Sequence, residues 1–211
     1  MGRASRFILP LMAAMALPVL AQAQTVAPVR EGDRTLGSPT APVTLTVYLS
    51  ATCSHCADWH TNEFPAFRAK YVDSGQVRVA FRDLPTPPAQ LAAAGAVMAR
   101  CVPEDNYDAA LDALFKGQQA IRDAGGARPA AVAWLRSAGE AGGLTLEQMN
   151  ACMSDAAGFA EIEARAGQSV ADGINSTPSF LINGEKVDVE AMGARDVAAF
   201  EPLIQPLLAG R

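Results

Sequence analysis

The segment Cys53-Ser54-His55-Cys56 follows directly on the apolar run 43–50 and opens a helical pattern. A Cys-x-x-Cys pair at a strand-to-helix junction puts its first sulfur at a helix end. There the unpaired N–H groups and the positive end of the helix dipole favour a thiolate. The second sulfur lies one turn further in, within reach for a disulfide. A thiol attacks only as its thiolate, and a free cysteine near pKa 8.5 is mostly protonated at neutral pH. The residues therefore assign Cys53 as the exposed attacking sulfur and Cys56 as the buried resolving thiol of higher pKa. His55, between them, is a candidate donor or positive charge for the Cys53 thiolate.

The compartment decides what such a pair does. The chain begins with a short basic region holding Arg3 and Arg6. An uncharged apolar stretch, 7–20, follows and ends at Ala21-Gln22-Ala23. Small-x-small after a short, proline-interrupted apolar stretch reads as a cleavable secretory signal over 1–23, not as a membrane span. The expected mature chain, 24–211, is long enough for one domain with a sizeable core. Its charge of −5 is mild, and no basic face suggests nucleic acid or anionic lipid. With four cysteines in an oxidising compartment, disulfides are the default expectation.

Residues 42–50 alternate Val43, Leu45, Val47 and Leu49 on one face, the pattern of a strand. His60, Phe64, Phe67 and Tyr71 mark an amphipathic helix after the cysteines, with a break or kink expected near Glu63-Phe64 because Pro65 lies within it. A second strand is expected over 77–82, and the β–α–β order argues for parallel pairing. Residues 89–173 carry no convincing strand and read as short helices over 90–101, 107–115, 130–139, 145–153 and 159–171. Thr145-Leu146-Glu147-Gln148 is a capping-box pattern. Strand signals return at 179–182 and 186–189 around Asn183-Gly184, a hairpin turn. A last helix is expected over 196–208.

This order resembles the DsbA-like branch of the thioredoxin superfamily, exported thiol–disulfide oxidoreductases. The resemblance is carried by Cys53-Ser54-His55-Cys56, Thr177-Pro178 and Asn183-Gly184, and the layout covers essentially the whole mature chain. It implies an α/β, thioredoxin-like fold (βαβ…ββα) with an inserted all-helical block. The thioredoxin-like parts would span about 40–86 and 174–211 and the insertion about 87–173. It also implies that Pro178 is cis and faces the cysteines, against the low base rate of cis X-Pro bonds. The main chain at Thr177 would then pair with an extended client segment. Thr177, Pro178 and Ser54 are the expected substrate-binding residues. The implied activity is donation of the Cys53–Cys56 disulfide to reduced exported proteins in the periplasm, with no cofactor and no metal. A membrane thiol reoxidase of DsbB type would be the second partner. The segment between Gln24 and the first strand is too short for an added dimerisation domain, so a monomer is expected. An isomerase or reductase, and a non-catalytic chaperone or binding module, are the alternatives.

Cys101 and Cys152 stand outside any Cys-x-x-Cys context and are expected to form a structural disulfide. A four-cysteine zinc site is disfavoured, since structural zinc draws on two closely spaced ligand pairs and these two lie far apart. Two departures from the family pattern stand out. Val47 occupies the strand position where some members carry a buried acid, leaving Asp58 and Asp83 as candidate proton carriers for Cys56, each more often a solvated acid. Ser54-His55 replaces the frequent Pro-His. His60 reads as a packed helix residue, and Trp59 as core or groove rim.

Overall fold

The computed structural model describes residues 1–2 and 26–210, so all but the first two residues of the expected signal segment lie outside the described residues. Five strands form one sheet in the order β1-β3-β2-β4-β5: β1 Arg34–Leu36, β2 Val43–Leu49, β3 Val77–Asp83, β4 Ser179–Ile182 and β5 Glu185–Lys186. β2 and β3 run parallel from Val43↔Val77 to Leu49↔Asp83, as a helical crossover dictates. β4 joins β2 antiparallel, with Val47 opposite Phe180.

The sheet is buried on both faces. Val43, Leu45, Val47 and Leu49 pack with Trp59, Phe64, Phe67, Phe180 and Phe200. On the other face Tyr48, Leu84, Ile174 and Leu181 form a second cluster. There Arg82 reaches both Asp33 oxygens, Tyr48 Oη at 2.9 Å and Ala27 O at 2.7 Å. This network ties the incoming segment 27–33 across the sheet. Its pairing partner β1 was not expected from the sequence, because three residues carry no readable periodicity.

The crossover helix runs on past Pro65. It comprises α1 Ser54–Asp58, a π-helical turn Trp59–Glu63, α2 Phe64–Phe67 and a second π-helical turn Arg68–Val72. The Phe64 N–H reaches back five residues to Trp59 O. The widened turn accommodates a proline that would clash in a regular α-helix, so the irregularity expected near Glu63-Phe64 takes the form of a π-helical turn ending at Glu63, and the helix continues.

Between β3 and β4 lie α3 Ala89–Cys101, α4 Tyr107–Asp123, α5 Arg128–Ala141, α6 Leu146–Ser154 and α7 Ala156–Ala171. The capping box at Thr145 is present, with Gln148 N–H on the Thr145 hydroxyl and the Gln148 amide on Thr145 N–H. α4 is longer than the sequence suggested. Lys116-Gly117 looks like a stop, yet Gly117 is helical because Trp134 of α5 packs onto it. A Cβ there would meet Trp134 Cδ1 at 2.8 Å. The expected strand 186–189 shortens to β5, because Asp188 accepts from Glu190 N–H and Ala191 N–H and starts a short helix, α8 Val189–Met192. α9 Val197–Ala209 closes the chain. Pro202 and Pro206 stand within it on its exposed side, while Phe200 and Ile204 face the core.

Candidate active site

β2 ends at Leu49 and the chain turns through residues 50–53 into α1. Cys53 N–H donates to Ser50 O at 3.1 Å, and Cys53 is the N-cap of α1 in an extended conformation. A hydroxyl set braces this turn from the β3 side. Ser50 Oγ takes the Thr86 N–H at 3.0 Å and the Thr86 hydroxyl at 2.9 Å, and the Thr52 hydroxyl donates to Thr86 O at 3.2 Å. From the helical block, Gly95 of α3 comes so close that a Cβ would lie 2.7 Å from that of Ala51.

Cys53 and Cys56 are free thiols, Cys53 partly exposed and Cys56 fully buried. The Cys53 Sγ lies 3.3 Å from Thr177 O. Thr177–Pro178 is a cis peptide bond, as is Pro87–Pro88. The turn 174–178 therefore sits directly against the reactive sulfur, although 124 residues separate Cys53 from Thr177. The Thr177 hydroxyl is buried and has no hydrogen-bond partner among the described residues.

The electrostatics of the two sulfurs are opposite. Cys53 is lowered to about 5, chiefly by the hydrogen bond from the Cys56 thiol, against the opposing effect of burial. The N–H groups of Cys56 and His55 add to it. Cys56 is raised well above its ordinary value, first by burial and then by donating its proton to the Cys53 thiolate. One bond thus holds one sulfur charged and the other protonated.

His55 helps through its main-chain N–H. Its ring is exposed and makes no hydrogen bond among the described residues. Ser54 is also exposed at the rim. Trp59 is core, 5.0 Å centroid to centroid from Phe180. His60 is buried between Phe64 and Phe115, with Nε2 3.5 Å from Asp108 Oδ1. Of the two candidate proton carriers, Asp58 has the solvated setting the sequence suggested and Asp83 does not. Asp58 is exposed and accepts from Asn62, whereas Asp83 is buried and paired with Arg100 at 2.5 Å. Cys101 and Cys152 are joined across α3 and α6, which removes both as thiolate ligands for a metal.

One residue at the site escaped the sequence reading. Gln118, on the extended part of α4, donates to Ala51 O and Cys53 O. Its only sequence signal is a polar residue in the buried stripe Leu111, Leu114, Phe115, Gln118, Ile121.

A family model described as Thioredoxin matches residues 30–204. Among curated relatives, a Rickettsia bellii protein whose name assigns it protein-disulfide oxidoreductase activity is 28% identical over 160 residues, 75% of this chain. A Rickettsia conorii protein of like name is 27% identical over 168 residues, 79% of this chain. The chain spans only 60% and 59% of the length of these two relatives. The crystal structure of Wolbachia pipientis alpha-DsbA1 superposes with a TM-score of 0.73 at 23% identity, covering 86% of this chain and 94% of that one. Oxidised BdbD from Bacillus subtilis gives 0.71 at 16% identity, covering 88% and 97%. At these identities the structural likeness establishes the fold: a thioredoxin-like sheet with a helical block inserted between β3 and β4. Matched over most of its length, the chain belongs to the thioredoxin family.

Proposed function

We propose that the protein is an exported thiol–disulfide oxidoreductase that donates a Cys53–Cys56 disulfide to reduced secreted proteins in the periplasm. The observation that carries the reading is the split between the two sulfurs. A partly exposed thiol held near 5 sits against the main chain of Thr177, and a buried partner stays protonated. In the oxidised protein a client thiolate attacks Cys53 Sγ. A client–Cys53 disulfide forms, the Cys53–Cys56 bond breaks, and Cys56 leaves and takes up a proton, as its raised pKa favours. A second client thiolate then attacks the client sulfur of the mixed disulfide. The client disulfide forms and Cys53 departs as a stabilised thiolate. Two electrons pass from client to protein, and a membrane thiol reoxidase of DsbB type removes them.

A good leaving thiolate and a stabilised reduced state make the disulfide oxidising. Thr177, Pro178 and Ser54 frame the place where an extended client segment lies, in the manner of strand addition. The test is the reduction potential against glutathione, together with oxidation of reduced ribonuclease. The expected potential lies between about −180 and −100 mV, and a value near −270 mV would assign a reductase instead.

A further inference from the structure

Gln118 belongs to the helical block, yet it is hydrogen-bonded to the turn that delivers the reactive cysteine. Its side chain is buried, and Nε2 donates to Ala51 O at 3.0 Å and to Cys53 O at 2.9 Å. The other end of the amide, Oε1, accepts from Arg122 Nη1 one helical turn further on. A guanidinium can only donate and a carbonyl can only accept, so the amide has a single orientation. The chain of bonds runs Arg122 to Gln118 to the 51–53 turn.

The placement is costly unless it serves the turn. Gln118 interrupts an apolar stripe that a leucine would continue, and a buried amide is tolerated only when both its ends are satisfied. Here one end is satisfied by the turn itself. Cys53 O also accepts Ala57 N–H at 3.1 Å, so this carbonyl carries two donors. Carbonyl oxygens turned toward the sulfur would oppose its charge. With the Ala51 and Cys53 carbonyls both bonded to Gln118, the turn is fixed in the conformation in which the N–H groups of His55 and Cys56 serve the sulfur. The Arg122 charge polarises the amide and strengthens both bonds.

We infer that Gln118, polarised by Arg122, is a positioning residue for the redox pair. It holds the Ala51 and Cys53 carbonyls away from the Cys53 sulfur and so keeps that sulfur ionised. The inference rests on the oxidoreductase reading above. It makes the helical insertion part of the redox centre and not only a cover beside it.

The test uses the full mature chain with Gln118→Leu, which keeps the apolar stripe, and Gln118→Glu, which keeps the shape and sets an acceptor against two carbonyls. The readouts are the thiolate absorbance at 240 nm against pH, the equilibrium constant with glutathione, and the melting temperature. The Cys53 midpoint is expected to rise by about half a pH unit in Gln118→Leu and by more than about one in Gln118→Glu. The oxidising equilibrium constant should fall roughly three-fold and more than ten-fold respectively. A lower melting temperature with the midpoint and the equilibrium constant unmoved would mean a merely structural role and overturn the inference. Should the Gln118 variants fail to fold, Arg122→Leu, altered at an exposed position, decides the matter. A smaller rise in the midpoint supports the inference, and none refutes it. The two readings fail differently. If wild-type Cys53 titrates as an ordinary thiol, the oxidoreductase proposal falls and takes this one with it. A normal wild type with flat variants sinks only the role of Gln118.

Discussion

Replacing Cys53 with alanine should destabilise the reduced protein at neutral pH and leave it nearly unaffected at pH 4, apart from a small constant packing loss. The folded thiol is held at about 5, and an unfolded cysteine titrates near 8.5. Because the folded value is the lower one, the stabilisation is complete above the unfolded pKa. It disappears as pH falls through 5. At pH 7 the folded sulfur is ionised and the unfolded one protonated, so the two pH units between 5 and 7 correspond to about 2.7 kcal/mol. Cys53 is partly exposed, and solvent screening brings the expected effect to about 1–2 kcal/mol. Guanidinium unfolding of both reduced proteins from pH 4 to 8, with the same reductant, measures it. The Cys101–Cys152 bond then cancels between the two proteins, and the packing loss is a constant offset that drops out of the pH dependence. Cys56→Ala provides the control, because removing the donor that most lowers Cys53 should move the 240 nm midpoint upward. A difference between wild type and Cys53→Ala that stays flat across this range would refute a stabilised thiolate. So would a Cys53 midpoint near 8.

Removing the Cys101–Cys152 bond by a double alanine substitution should lower stability by up to about 4 kcal/mol in the chain-entropy model for a loop of this size. Oxidation of reduced ribonuclease per folded molecule should remain near wild type, and a large loss of turnover without unfolding would mean this pair takes part in the chemistry. Arg82→Met leaves the buried Asp33 carboxylate without its charged partner and should destabilise by about 3–5 kcal/mol. Thermal melting checks it, and an unchanged melting temperature would mean that segment 27–33 is not held by this network.

Much of the architecture is written in local pattern. The alternation through Val47 and the stripe through Phe64 and Phe67 define β2 and the crossover helix, and the Cys-x-x-Cys pair lies between them. What escaped was set by contacts distant in sequence. β1 exists because β3 offers it an edge, with Arg34 opposite Phe81. Pro65 marks an irregularity near Glu63-Phe64, but that the helix continues by widening its turns is not written in the local sequence. α4 continues through Gly117 because Trp134 needs the space a side chain would fill. Stopping α4 at residue 115 concealed Gln118, since a glutamine just beyond a helix is an ordinary solvated residue, whereas one on its apolar stripe requires an explanation. The nearness of Thr177 to Cys53 was implied by family resemblance alone, because nothing local in Ser176-Thr177-Pro178 points to a sulfur.

The missing buried acid is the feature in which sequence and geometry together say more than either alone. Val47 puts no carboxylate at the expected strand position, Asp83 is paired with Arg100, and Asp58 lies in solvent. The resolving thiol does not need one to stay protonated, because burial, and after it the hydrogen bond to Cys53 and its charge, raise it well above its ordinary value. Once protonated, it donates to Cys53 and makes the largest contribution to lowering it. The asymmetry on which the chemistry depends therefore arises within the pair. A buried sulfur keeps its proton, and that proton stabilises the charge on the exposed one. The surrounding protein covers Cys56, with Trp59 and the sheet face under α1 packed around it, and braces the turn that carries Cys53, through Gln118 and the Ser50–Thr52–Thr86 hydroxyls.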